Sequence, residues 1–190
     1  MEIGLAALAD VPSLSGEFLL KGVSGIARRD WGAALNNLWI VVEQLTEFLW
    51  DIKVLQKISN DEKITGRIEQ LKDTRTWTAA ARQELLFQKG VFDFMLLQHL
   101  YAARRSRNEL MHRGTHPSEA GARAAYLALI GLLRIALDGR SVPLFDLNLD
   151  DHSLSDPFKP IERGPLNPTL WMPIPKLPGE EELEREEAKA

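Results

Sequence analysis

One short stretch of the 190-residue chain combines side chains that suit chemistry on a phosphate ester. Residues 107–112 read RNELMH, so four residues separate Arg107 from His112, and Asn108 follows the arginine directly. An arginine guanidinium is a planar fork that matches phosphate oxygens, and a histidine gives or takes a proton near neutral pH. The spacing therefore indicates acid–base chemistry beside a bound phosphate, with Asn108 orienting a side chain or touching the substrate.

This hexapeptide lies near the end of a predicted long helix, FDFMLLQHLYAARRSRNELMH, which Gly114 is suited to terminate. At roughly 100° per residue, Arg107 and His112 point about 140° apart, whereas Asn108 and His112 share a face. The flexible guanidinium is long enough to reach around the helix. The last turn carries partial negative charge, which favours the protonated form of His112 and suits it to donate a proton.

Positive charge is concentrated around the hexapeptide. Residues 99–116 contain four arginines and one acidic residue, Glu109, although the whole chain has a net charge of −4. Residues 143–190 account for this difference, because they hold eleven Asp and Glu against five Lys and Arg. The basic segment is of the kind that a nucleic-acid phosphate seeks. The predicted substrate contacts are therefore Arg104, Arg105, Arg113 and His116. The alternative is surface solvation for the three arginines, and helix capping or no role for His116.

Helices are expected to position these residues. Apolar side chains recur at steps of three and four through residue 142, and no strand-like alternation appears. The sequence predicts an all-α bundle of about five to six helices, which span approximately residues 15–29, 30–55, 61–72, 74–89, 92–113 and 118–138. Eight of the ten prolines lie beyond residue 142, where they prevent continuous helix. We therefore expect a helical domain at 1–142 and a proline-rich, acidic, extended C-terminal segment at 143–190.

Composition excludes several other classes of site. The chain has no cysteine, which removes disulfides, thiolate zinc sites and cysteine nucleophiles, and is typical of a reducing cytoplasm. Its longest apolar run, residues 124–133, is ten residues long, against the roughly 18 that a membrane span needs. No secretory leader, divalent-metal pattern or glycine-rich phosphate loop is visible. We expect a cytoplasmic protein without membrane, metal or cofactor.

The segment RSRNELMHRG, on the penultimate long helix of an all-α domain, resembles the Arg-x4-6-His motif of HEPN domains (higher eukaryotes and prokaryotes nucleotide-binding). A polar residue directly after the arginine, here Asn108, is typical of the nuclease members of that family. The resemblance covers roughly residues 16–140. It implies a metal-independent endoribonuclease, commonly a toxin or an anti-phage effector, in which two protomers place their motifs in one cleft. An antitoxin or a defence-system protein would then be a further partner.

The resemblance also implies roles for single residues. Arg107 would hold the scissile phosphate and stabilise charge in the transition state. His112 would move protons while the RNA 2′-hydroxyl attacks, leaving a 2′,3′-cyclic phosphate, and Asn108 would orient. Glu43, on the second predicted helix, is a candidate orienting residue within reach of the arginine, with an ordinary exposed glutamate as the alternative.

Three other interpretations remain open at this stage. The hexapeptide is a solvated basic helix end, or the chain is a non-catalytic HEPN module that binds nucleotide, RNA or a protein partner, or it is a structural helical adaptor. For the nuclease, the sequence predicts a homodimer that forms through the motif helix. That prediction rests on an apparent excess of apolar residues there and nearby in the fold: Phe92, Met95, Leu96, Leu100, Leu127 and Ile130.

Overall fold

The computed structural model describes residues 10–58, 64–138, 146–147 and 154–155. In these ranges the chain forms six α-helices: α1 (Gly16–Ala27), α2 (Trp31–Lys53), α3 (Arg67–Lys72), α4 (Ala79–Gln88), α5 (Phe94–Arg113) and α6 (Glu119–Ala136). A single 3-10 turn, Leu55–Lys57, follows α2. The prediction of an all-α fold is therefore confirmed for residues 10–58 and 64–138. None of the helices described is long and apolar enough to cross a membrane.

Side-chain oxygens fix where most of these helices begin. Five of the residues preceding a first turn accept a hydrogen bond from a backbone N–H inside that turn, and they are Ser15, Asp30, Thr78, Asp93 and Ser118. Such a bond satisfies one of the N–H groups that the first turn leaves without a helical partner. These short polar residues were visible in the sequence, which explains why the predicted starts of α1, α2 and α6 agree closely with the structure.

Two of the predicted helices are shorter than expected. The helix predicted over 74–89 begins at Ala79, because Asp73 holds the residues that follow it, up to Thr76, in a turn. Its carboxylate accepts hydrogen bonds from Arg75 N and Nε, each at 3.2 Å, and from Thr76 Oγ1 at 2.9 Å. These bonds hold the pKa of Asp73 below its ordinary value. In the part of 61–72 that the structure describes, which starts at residue 64, the helix begins at Arg67. It follows Gly66, which has the left-handed conformation (φ 80°).

The long helix α2 carries the centre of the core. The apolar stripe predicted from Leu35 to Ile52 is buried as far as Leu49, and Ile52 is half-buried. The buried side chains pack mainly against α1 and α6, with further contacts to α4 and α5. Burial of this stripe supplies the main hydrophobic stabilisation of the helix, since apolar area removed from water contributes about 25 cal/mol per Å².

A buried polar cluster joins the short helix α3 to this core. Trp50 Nε1 donates to the carbonyl of Leu71 at 3.1 Å, and Arg82 Nη2 donates to the carbonyl of Lys72 at 2.9 Å. Both carbonyls belong to the last turn of α3, where backbone acceptors lack helical partners. Trp77 packs on Trp50 with a ring-centroid distance of 5.3 Å. Together these contacts hold α3 and the turn after it against α2 and α4.

Helices α5 and α6 form an antiparallel pair that positions the predicted motif. Gly114, with φ 64°, ends α5, and its N–H donates to the carbonyl of Leu110 at 3.0 Å. This is the helix end predicted from the sequence. The two helices lie close together at Gly121, where an added Cβ would lie 2.2 Å from Ser106 Oγ. Ser106 directly precedes Arg107, so the motif lies beside this close contact.

The C-terminal extension contributes one short element. Asp146–Leu147 and Leu154–Ser155 pair as two antiparallel strands, with Asp146 opposite Ser155 and Leu147 opposite Leu154. Extended structure was predicted for this segment, although strands were not. The predicted boundary between residues 142 and 143, and the remainder of the proline-rich segment, lie outside the described residues.

Candidate functional site

The three motif residues occupy the last two turns of α5, in different environments. Asn108 and His112 are exposed, whereas Arg107 is half-buried. The difference follows from the helical period, because Arg107 continues the row of positions that faces the core through Leu100 and Ala103. Asn108 and His112 are four residues apart and lie on the outward face.

Asn108 and His112 line an open groove of about 790 Å³ along the outward face of α5. The described residues that line it all belong to this helix: Tyr101, Ala102, Arg104, Arg105, Asn108, Glu109, His112 and Arg113. The structure therefore brings together two of the three predicted catalytic residues and three of the predicted substrate contacts. Positive charge predominates on this surface, since three arginines line it together with one carboxylate.

Arg107 does not line the groove in a single protomer, and reaches only its edge. Its Nη1 lies 3.5 Å from Asn108 Oδ1, at the outer limit of a hydrogen bond. The guanidinium therefore contacts the amide that lies between it and the groove. Within one chain, the angular separation of Arg107 and His112 agrees with the helical geometry expected from the sequence.

Two of the groove arginines have partners inside the chain. Arg105 Nε donates to Glu109 Oε1 at 3.1 Å, in a pair whose arginine side chain is 83% exposed. Such an exposed pair contributes little to stability, so a phosphate can compete for the guanidinium. The Arg104 guanidinium lies over the ring of Tyr101, with its Cζ 4.3 Å from the ring centroid. Among the described residues, Arg104 Nη1 is buried without a hydrogen-bond partner.

The remaining predicted site residues lie elsewhere in the fold. Glu43 accepts a hydrogen bond from Trp39 Nε1 at 2.7 Å, and it lines a separate groove of about 440 Å³ between α2 and α4. His116 is exposed in the loop after α5, beside the N-terminus of α2, where a Cβ built on Gly32 would lie 3.9 Å from His116 Cε1. Within one protomer neither residue lines the groove of α5.

The sequence interpretation missed two residues of interest. Tyr101 belongs to the groove, and a signal for it existed, because Tyr101, Arg105, Asn108 and His112 follow the spacing of one helix face. Arg82 is 4% exposed in the polar cluster between α2 and α4. No sequence signal identified Arg82, since a charged residue in the first turns of a polar helix is ordinarily solvated.

The surface available to a partner on α5 differs from the one expected. Phe92, Leu96 and Leu100 are buried in the core of their own chain, because α2 and α6 cover that face of the helix. The prediction that one bundle cannot cover these three residues was therefore wrong. Met95 is 58% exposed and Met111 is 57% exposed. They are sixteen residues apart, which places them about 160° apart around α5, and only Met111 lies one turn from Arg107. The prediction of a homodimer through the motif now depends on Met111.

The described residues contain no group of three or more histidine, aspartate or glutamate side chains placed to hold a metal ion. No family model matches the chain, and searches of the curated proteins and of the solved structures give no match either.

Proposed function

We propose that the chain is a metal-independent endoribonuclease of the HEPN type. The observation that supports this best is the grouping on α5: Asn108 and His112 face one groove lined by arginines, and the Arg107 guanidinium contacts Asn108 from the flank. A proton-transfer group, an amide and several guanidinium groups are the components that cleavage of a phosphodiester through its own 2′-hydroxyl needs.

In the proposed reaction the arginines bind phosphate and His112 moves protons. The 2′-hydroxyl loses its proton as its oxygen bonds to phosphorus, the bond from phosphorus to O5′ breaks, and O5′ gains a proton. The products are a 2′,3′-cyclic phosphate and a 5′-hydroxyl. Arg107 stabilises the charge on the pentavalent phosphorus, and Asn108 orients the guanidinium or the phosphate.

The proposed active form is a homodimer. One protomer presents His112 to the groove and keeps Arg107 at its edge, so a second copy of α5 would supply the guanidinium across a shared cleft. The exposed Met111, one turn after Arg107 on the same helix, offers apolar contact area for that second copy. Following the resemblance, the proposal extends to a toxin or anti-phage effector in the cytoplasm, with an antitoxin or a defence-system protein as its partner.

A second candidate is a non-catalytic RNA-binding module, in which the groove holds phosphates without cleaving them. The position of Arg107 outside the groove favours this alternative, because within one protomer the groove lacks the guanidinium that the reaction assigns to the phosphate. It predicts RNA binding that is lost with the arginines and unaffected by replacement of His112.

Cleavage of a defined RNA by the purified protein in excess EDTA tests the proposal. We expect products ending in 2′,3′-cyclic phosphate and 5′-hydroxyl, and we expect no cleavage at a position where the 2′-hydroxyl is replaced by hydrogen. Cleavage that needs an added divalent ion, or products that carry a 5′-phosphate, would refute the proposed reaction. Binding of RNA without cleavage under any condition would favour the second candidate.

A further inference from the structure

Tyr101 is an exposed aromatic residue whose ring contacts two neighbouring side chains. Its hydroxyl lies 3.5 Å from Glu84 Oε2 on α4, and the Arg104 guanidinium covers the ring at 4.3 Å from its centroid. The residue is nevertheless 46% exposed and lines the groove. A ring that is covered on one side by a guanidinium loses less conformational freedom on binding than a fully solvated ring, and its remaining surface is open to a ligand.

The position of Tyr101 relates it to the proposed phosphate contacts. Arg105, Asn108 and His112 follow it at steps of four, three and four residues, so all four share one face of α5. Tyr101 and Asn108 are seven residues apart, which corresponds to about 10.5 Å along the helix axis. A base against Tyr101 and the phosphates that follow it would thus lie along one line on the helix surface.

We propose that Tyr101 is a stacking platform for one base of a single-stranded RNA whose phosphates bind Arg105 and Arg113. This inference rests on the proposed function and adds a substrate class to it. Stacking on an aromatic ring requires a base that is free of its neighbours, which a duplex does not offer. Aromatic side chains beside a positively charged groove are the usual means by which proteins bind single strands.

The acidic side chains around Tyr101 indicate toward which end of α5 the phosphates of the bound strand extend. Glu84 lies at the hydroxyl end of the ring, on the side of α4, and repels phosphate there. Glu109 is paired with Arg105, and Arg113 lies near the C-terminal end of the helix. The phosphates after the stacked base therefore run from Tyr101 toward the C-terminus of α5, where the proposed reaction takes place.

Binding of uncleavable RNA to the full chain tests this inference. The probes are fluorescent 2′-O-methyl dodecamers, single-stranded or in a duplex, measured by anisotropy. We expect Tyr101→Leu to weaken single-strand binding roughly five-fold or more, with duplex binding unchanged. Tyr101→Phe keeps the ring and should bind within about two-fold of the parent. Phe94→Leu is a matched control, since Phe94 is an exposed aromatic residue of the same helix outside the groove.

A second probe separates stacking from a structural role. In dodecamers with a single abasic site, the difference between the parent and Tyr101→Leu should disappear when the missing base is the stacked one. Equal loss for single strand and duplex, unchanged binding by Tyr101→Leu, or no binding by the parent would each overturn the inference. The test is independent of cleavage, so a chain that cleaves RNA but does not need Tyr101 would refute only this inference.

Discussion

Two arginines of the site on α5, Arg107 and Arg105, differ in their burial and in the group that each contacts. Arg107 is half-buried and its guanidinium contacts Asn108, whereas Arg105 is exposed and paired with Glu109. The half-buried residue Arg107, whose guanidinium contacts a neighbouring amide, suits a role at the reacting phosphate. An exposed arginine in a weak pair suits a contact along the strand, where binding depends on charge more than on geometry.

Replacement of Arg105 should therefore change binding and leave the chemistry intact. We expect Arg105→Ala to weaken RNA binding and to lower the salt dependence of that binding by about one phosphate contact. Cleavage should persist at high enzyme concentration. Glu109→Gln is the matched variant, because it frees the Arg105 guanidinium and should strengthen binding at low salt. Loss of cleavage at saturating concentrations of Arg105→Ala would place this arginine in the reaction itself.

At the scale of elements, the close approach of α5 and α6 holds the motif in position. Gly121 faces Ser106, the residue before Arg107, and leaves no room for a side chain. The packing of the two helices at this point fixes which side of α5 is turned toward α6, and with it how much of Arg107 is buried. A local change in this packing would therefore change the burial of the motif without replacing any of its residues.

Gly121→Ala should destabilise the fold, because its Cβ would lie 2.2 Å from Ser106 Oγ and 2.8 Å from Ser106 Cβ. We expect a cost of about 1–3 kcal/mol in the free energy of unfolding, measured by urea denaturation. Gly32→Ala is the matched control, since the nearest atom to its Cβ would be 3.7 Å away, and alanine is the better helix former. Combining Gly121→Ala with Ser106→Gly should restore part of the loss. Equal stability of the two single variants would contradict the packing argument.

The sequence predicted the helices where a short polar residue starts them and a periodic apolar stripe continues them. It failed at Asp73, whose carboxylate binds the next residues in a turn, a contact that periodicity does not report. It also assigned Phe92, Leu96 and Leu100 to a partner surface, because a sequence shows that a stripe is apolar but not which helix covers it.

Prediction of the site succeeded to a different extent for different residues. The shared face of Asn108 and His112 follows from the helical period alone and agrees with the structure. Placement of Glu43 and His116 depends on how helices pack, which no local pattern specifies. Tyr101 follows the same helical period as these residues. The sequence criteria of charge and proton transfer do not select an aromatic side chain, so Tyr101 was missed.

For the whole molecule, the proposed cleft needs two copies of the chain. The exposed Met111 lies one turn after Arg107 on the helix that carries the motif, and a second copy packed there would bring a further Arg107 to the groove. Dimerisation would then be a condition of cleavage and would leave the fold of each protomer unchanged.

Met111→Lys should weaken this dimer. We expect the parent chain to sediment as a dimer at micromolar concentration and the variant to sediment as a monomer with reduced cleavage, because a lysine in an apolar interface must be desolvated. Leu20→Lys is the matched control, since Leu20 is 54% exposed on α1, and it should stay dimeric. A monomeric parent that cleaves RNA would refute the shared cleft.

The most direct test of the account is the rate of RNA cleavage in EDTA by His112→Ala and Arg107→Ala. We expect both variants to lose cleavage, whereas Arg134→Ala, an exposed arginine in the last turn of α6, keeps the parental rate. His112 is exposed, so its replacement should change the free energy of unfolding by no more than about 0.5 kcal/mol. Cleavage by the His112 and Arg107 variants at the parental rate would contradict the assignment of the site and with it the proposed nuclease.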